Sequence, residues 1–185
     1  MLNWKAVASA ALAGVVVLVV GQTVVAQDKM KSMPMAFGGS SDVAFAKQLW
    51  SSMRNYLLVG EKRINVQPFE GNEPHGAIQQ VLEREIKVGK RSGRVIVKVN
   101  HMAKDVKSVY AEPNKFIGAY TVMFKKPAGY DPENKDWFWA KYKPNGEIDT
   151  NPMGMKLAGR VAKGMDEGCI ACHRAIGGDD LEILR

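Results

Sequence analysis

Arg94-Val95-Ile96-Val97-Lys98-Val99-Asn100 is the stretch that decides the fold. Successive side chains of a strand point to opposite sides, so Val95, Val97 and Val99 share one face while Ile96 and Lys98 share the other. An apolar row backed by a mixed one is the pattern of a sheet strand. Just upstream, Ile78 to Ile86 follows the turn cluster Gly71-Asn72-Glu73-Pro74-His75-Gly76 and reads as a second strand. Gly89 to Gly93 connects the two, which predicts an antiparallel hairpin. Downstream, Ala119 to Phe124 is rich in β-formers, and Trp137-Phe138-Trp139-Ala140-Lys141-Tyr142 is an aromatic strand beyond the loop Gly129 to Asn134. These two make a further hairpin, and Pro144-Asn145-Gly146 turns the chain again.

Helical spacing appears around this sheet. Ser41 is placed to cap a helix whose stripe is Ala46, Leu49, Trp50, Met53, Tyr56 and Leu57; Trp50 falls on that stripe and so reads as core. A short helix is predicted over Met102 to Tyr110, stopped by Pro113, and another from Leu157 through Ala158, Val161 and Met165 into Cys169. The fold class is therefore α+β, an antiparallel β-sheet with flanking helices. No internal repeat is visible.

Near the C-terminus stands Cys169-Ile170-Ala171-Cys172-His173, the attachment pattern of a c-type haem. Two thiols on one helical turn reach the two vinyl groups of the ring, and the adjoining imidazole of His173 falls beneath the iron. A structural zinc site usually takes four ligands of this kind, and the chain has only these 2 cysteines. A redox dithiol accounts for the thiols but not for His173. The expected cofactor is haem c, its iron bound by His173. Strands at 94–100 and 137–142 argue against the four-helix bundle of other gas-binding c-type cytochromes.

Composition sets the outer bounds. With 185 residues and 46% hydrophobic content, one ordinary domain with an N-terminal appendage is expected and wholesale disorder is excluded. The net charge of +7 is spread over scattered lysines without an arginine–aromatic motif, which disfavours nucleic acid and suits steering of acidic redox partner proteins or small anions. Lys5 precedes an apolar run from Ala6 to Val25, closed by Val24-Val25-Ala26. Residues 1–26 read as a signal peptide or an N-terminal membrane anchor, and either exports the domain to the periplasm. Residues 27–40 read as a linker, in which Met33 and Met35 are incidental rather than copper ligands. Residues 41–185 form the haem c domain.

Several further residues invite chemistry. Glu83 and Glu85 share a strand face and could act as an acid–base pair, although Arg84 and Lys87 beside them point to a solvated face. His75 or His101 on the iron would give a six-coordinate electron-transfer cytochrome.

Taken together, Pro74-His75-Gly76, Val95-Ile96-Val97-Lys98, Thr121-Val122-Met123-Phe124-Lys125, Gly129-Tyr130-Asp131-Pro132, Asp136-Trp137-Phe138-Trp139 and the terminal motif resemble the cytochrome P-460 and cytochrome c′-beta family over roughly residues 65 to 175. The resemblance implies a five-coordinate haem on His173, a distal side open to nitric oxide or hydroxylamine, and a homodimer. It also implies that Lys98, matching the lysine of the family's Val-Lys motif, is bonded to the macrocycle in an oxidoreductase of small nitrogen compounds. Without that bond a non-catalytic gas-binding protein is implied. The family often continues Glu-Asn-Tyr after this lysine, whereas this chain has Val99-Asn100-His101. That departure leaves Glu83, Glu85 and Glu112 as candidates for a distal carboxylate, and Phe116 or Phe124 as an apolar cap.

Overall fold

Every residue from Val95 to His101 is buried, although their side chains alternate between two sides, so both faces of this strand are covered. A computed structural model of the chain describes residues 36–184. Its elements run α1 (Ser40–Asn55), β1 (Phe69–Glu70), β2 (Ile78–Val88), β3 (Arg91–His101), α2 (Val106–Ala111), β4 (Ile117–Lys125), a 3-10 turn (Pro132–Asn134), β5 (Trp137–Tyr142), β6 (Ala158–Gly159) and α3 (Cys169–Ile176). The six strands form one sheet in the order β1-β2-β3-β4-β5-β6, each neighbour antiparallel. The α+β class and both predicted hairpins are present.

On the first face, Val95, Val97 and Val99 join Leu82, Ile86, Val122 and Tyr142 beneath Ala46, Leu49 and Met53 of α1. Fully burying a Leu or Met side chain contributes roughly 1.5–3 kcal/mol, which is what fastens this helix to the sheet. Trp50 packs against the same cluster, with its ring 5.3 Å from that of Tyr120. On the second face, Ile96, Met123, Trp137 and Trp139 pack under Val161, Ala162, Ile170 and Leu181 of the C-terminal segment. The sheet thus carries a core on each side.

Several boundaries depart from the sequence expectations. α1 begins at Ser40 with Gly39 at its N-cap and no side-chain cap, so Ser41 lies inside the helix; Leu57, beyond its end, has φ 59° and is exposed. The β2–β3 turn is tighter than Gly89 to Gly93, because Arg91 to Gly93 already pair with β2. Gly93 permits this pairing beside β4: a Cβ there would lie 2.4 Å from the Lys125 carbonyl oxygen. The helix expected over Met102 to Tyr110 shrinks to Val106–Ala111, capped by Asp105, whose Oδ1 accepts the Ser108 N–H at 2.7 Å.

The helix expected from Leu157 to Met165 is absent, and the edge strand β6 and turns stand in its place. Gly159, Ala162 and Gly164 have φ of 106°, 62° and 73°, left-handed values that a right-handed helix does not admit. The end of the expected linker is also structured: Phe37 is buried and bridges to Gly159, and the Gly38 N–H donates to the Ala158 carbonyl at 2.7 Å. The expected signal or anchor, and residues 27–35, lie outside the described residues. Among those described, no helix is long and apolar enough to cross a membrane.

Candidate functional site

Register brings the second face's polar residues into one row. Val81 of β2, Lys98 of β3, Thr121 of β4 and Lys141 of β5 are successive cross-strand partners. In the next row Ile96, Met123 and Trp139 are likewise in register. On the other side of the first row lies Asn100, whose Nδ2 donates to Thr121 Oγ1 at 3.2 Å.

Above these rows sits α3. Gly168, with φ 114°, lets the chain turn into this helix, and the Cys172 N–H donates to the Gly168 carbonyl at 3.0 Å. Cys169 and Cys172 are free thiols, each half-buried in the first turn, and His173 follows with only 5% of its surface exposed. The His173 ring lies 4.7 Å from that of Trp139. Its Nδ1 donates to the Leu181 carbonyl at 2.6 Å, which places the proton on Nδ1 and leaves Nε2 with a lone pair and no partner among the described residues.

The carbonyl that fixes His173 is itself anchored. The Trp137 indole N–H donates to the Asp180 carbonyl at 2.8 Å, Lys125 pairs with the Asp180 carboxylate at 2.7 Å, and Arg94 bridges Glu83 and Glu182. Three strands thus hold the tail on either side of Leu181.

Burial governs the ionisation of this face. Lys98 is 6% exposed and makes no ion pair among the described residues; burial lowers the pKa of its ammonium, with Cys172 acting weakly the other way. Burial raises the Cys169 thiol, an effect that Lys141 partly opposes. For His173 burial lowers the imidazole, opposed by its bond to Leu181. Lys141 reaches Asp149 at 3.1 Å. Two buried polar atoms of the face, Asn100 Oδ1 and Trp139 Nε1, have no partner.

The turn cluster brings a second imidazole here. His75 lies half-buried with Nδ1 3.1 Å from Thr121 Oγ1 and its ring centre 6.1 Å from that of His173, the two planes at 89°. Burial, reinforced by Lys98, His173 and Lys141, pushes His75 down to about 4. A cleft of about 370 Å³ opens beside it, bordered by Pro74, Asn100, Met102, Ala103 and Lys141. The larger cleft of about 670 Å³ lies by the end of α1, lined by Trp50, Arg54, Lys62 and Asn145, and includes neither cysteine and no histidine.

No family model, curated protein or solved structure matches this chain. The site is therefore judged on its own geometry. Of the residues singled out from sequence, Lys98, Cys169, Cys172, His173 and His75 are brought together. His101 is not: it is wholly buried, with Nε2 3.0 Å from Gln80 Oε1 and Arg63 acting on its charge, on the α1 side of the sheet. Phe124 packs with Phe45 in the α1-side core, and Phe116 lies by Ile78 and Val109, so neither caps the second face. Glu83, Glu85 and Glu112 are exposed; Glu83 is tied to Arg94 and Glu112 to Lys115, as a solvated face demands. Sequence reasoning missed Thr121, Trp139 and the Leu181 carbonyl as parts of the site. The strand alternation pairing Thr121 with Lys98 was readable, whereas no local pattern marks a carbonyl eight residues after a histidine.

Proposed function

We propose that the chain is an exported mono-haem c-type cytochrome of the kind it resembles, a redox protein that handles small nitrogen compounds such as nitric oxide or hydroxylamine. The observation that carries this reading is the His173 ring, its Nδ1 engaged by Leu181 and its Nε2 free, one residue beyond two accessible thiols. This is the tautomer a metal-binding imidazole needs. Cys169 and Cys172 hold the haem through thioether bonds, and His173 Nε2 binds its iron.

The face beneath α3 suits such a group. Lys98 and Lys141 offer positive charge to the two ring carboxylates, while Ile96, Met123 and Trp139 offer apolar contact. Asn100 Oδ1 and Trp139 Nε1 are buried without partners, as atoms bordering an additional polar group are. When bound, the haem supplies one-electron redox chemistry and a position for a diatomic or hydroxylamine ligand. The chain's part is to fix the His173 ring through Leu181, to exclude water with Trp139 and Met123, and to hold His75 beside it through Thr121.

The resemblance implies a further bond from Lys98 to the ring edge, a reading supported by the burial of Lys98 on the same face as Cys172 and His173. Covalent haem is expected to survive denaturing electrophoresis and, in Cys169→Ala with Cys172→Ala, to be lost unless Lys98 alone still holds it. Tryptic mass spectrometry then reads whether the Lys98 peptide carries haem mass. Haem that runs free in the unaltered protein overturns the cytochrome reading. A haem-free Lys98 peptide, together with no turnover of hydroxylamine with an electron acceptor, replaces the oxidoreductase by a gas-binding cytochrome. Electron carriage is the second reading, favoured by the placement of His75 opposite His173.

A further inference from the structure

We infer that His75 is the sixth ligand of the resting iron and that an incoming nitrogenous molecule must displace it. The inference rests on the haem reading above and departs from the open distal side that the resemblance implies.

Geometry carries it. Two imidazoles each bonded through Nε2 to one metal ion at about 2 Å have ring centres about 6 Å apart. His75 and His173 stand at 6.1 Å, with their planes at 89°, a separation of that size. A distal histidine that only hydrogen-bonds to a ligand needs room for that ligand between ring and iron, and so stands farther off. Both rings use Nδ1 internally, one on Leu181 and the other on Thr121, and neither Nε2 has a partner among the described residues. Thr121 Oγ1 accepts from Asn100 through one lone pair, and a second remains for His75 Nδ1–H. With its Nδ1–H on Thr121, His75 carries its lone pair on Nε2; the hydroxyl permits this tautomer, whereas the Leu181 carbonyl enforces it on His173.

The loop that bears His75 is fastened to the sheet but not buried in it. The Gly71 N–H donates to the Ala77 carbonyl at 2.7 Å, and the His75 N–H to the Asn72 carbonyl at 3.1 Å. Gly76, at φ 85°, passes so close to β3 that a Cβ would lie 3.1 Å from the His101 carbonyl oxygen. Glu73 and Pro74 are exposed, and the cleft of about 370 Å³ beside the loop gives the ring somewhere to swing. In the exchange one metal–nitrogen bond breaks and another forms, with no change in electrons or protons.

The test is spectroscopic. The haem-loaded protein is expected to be low-spin in absorption and electron paramagnetic resonance. His75→Gly is expected to be high-spin, and imidazole added to that variant to restore the low-spin spectrum. A ring that holds the position nine-tenths of the time weakens an incoming ligand about tenfold, so the variant should bind nitric oxide about tenfold more tightly. Thr121→Val, which leaves the ring in place, should give a mixture of the two spin states. A high-spin unaltered protein, or a His75→Gly spectrum that stays low-spin, overturns the inference. Either result leaves the thioether-bound haem standing, whereas absence of covalent haem overturns the underlying reading instead.

Discussion

The three histidines occupy three different environments, and only two of them face the site. His101 is pushed down to about 4, chiefly by burial and then by Arg63, so the fold holds it neutral while an unfolded chain binds its proton near pH 6.5. Its contribution is present above pH 6.5 and is lost as the pH falls from there to 4, by roughly 3 kcal/mol in all. His101→Gln is expected to flatten the dependence of urea stability on pH over that window, which chemical denaturation at a series of pH values checks. Among single residues, Cys169, Cys172 and His173 were legible because their chemistry lies in adjacent positions. Placing His75 beside His173 and His101 away from it required the sheet, since the separation depends on a turn lying across the end of β3.

Strands were easier to read than helices, for a physical reason. Each of β2 to β5 is long enough for alternation to register against two covered faces, while α2 has six residues and α3 has eight. The segment from Leu157 to Met165 shows the helical pattern misleading: Ala158, Val161 and Ala162 do face the core, but through turns set by left-handed residues, and Met165 is exposed. Gly159 is the tightest of these. A Cβ there would meet Asp42 Oδ2 at 2.4 Å, on a backbone with φ 106°. Gly159→Ala is expected to cost about 2 kcal/mol or more, read from the midpoint of a denaturation curve, because left-handed strain and a steric clash add. Asp42→Ala in the same background should recover the steric part only.

At the scale of the molecule, the sheet is a partition between a core that keeps the fold and a face that carries chemistry. α1 closes the first side through Ala46, Leu49 and Met53. The second side is closed by residues 160–184, so closure and the proposed iron ligand, His173, come from one segment. Arg94→Gln is expected to loosen that segment. Hydrogen exchange at residues 178–183 should rise, and the reduction potential of the proposed haem should shift upward, because a His173 ring that loses its carbonyl partner would be a poorer donor to oxidised iron.

Because strand order follows chain order throughout, every pairing in the sheet is between consecutive strands, and the meander can assemble as it emerges during synthesis or translocation. The helix α3, with Cys169, Cys172 and His173, comes after all of them. Until it docks, Ile170 and Leu181 are missing from the cover of Ile96, Met123, Trp137 and Trp139, and this partly open apolar patch is an aggregation hazard. Chain ended after Gly168 should therefore bind a hydrophobic dye and precipitate on concentration, and Met123→Lys with Trp139→Lys should relieve both. The time a chain spends in that half-closed state sets how much folded protein it yields.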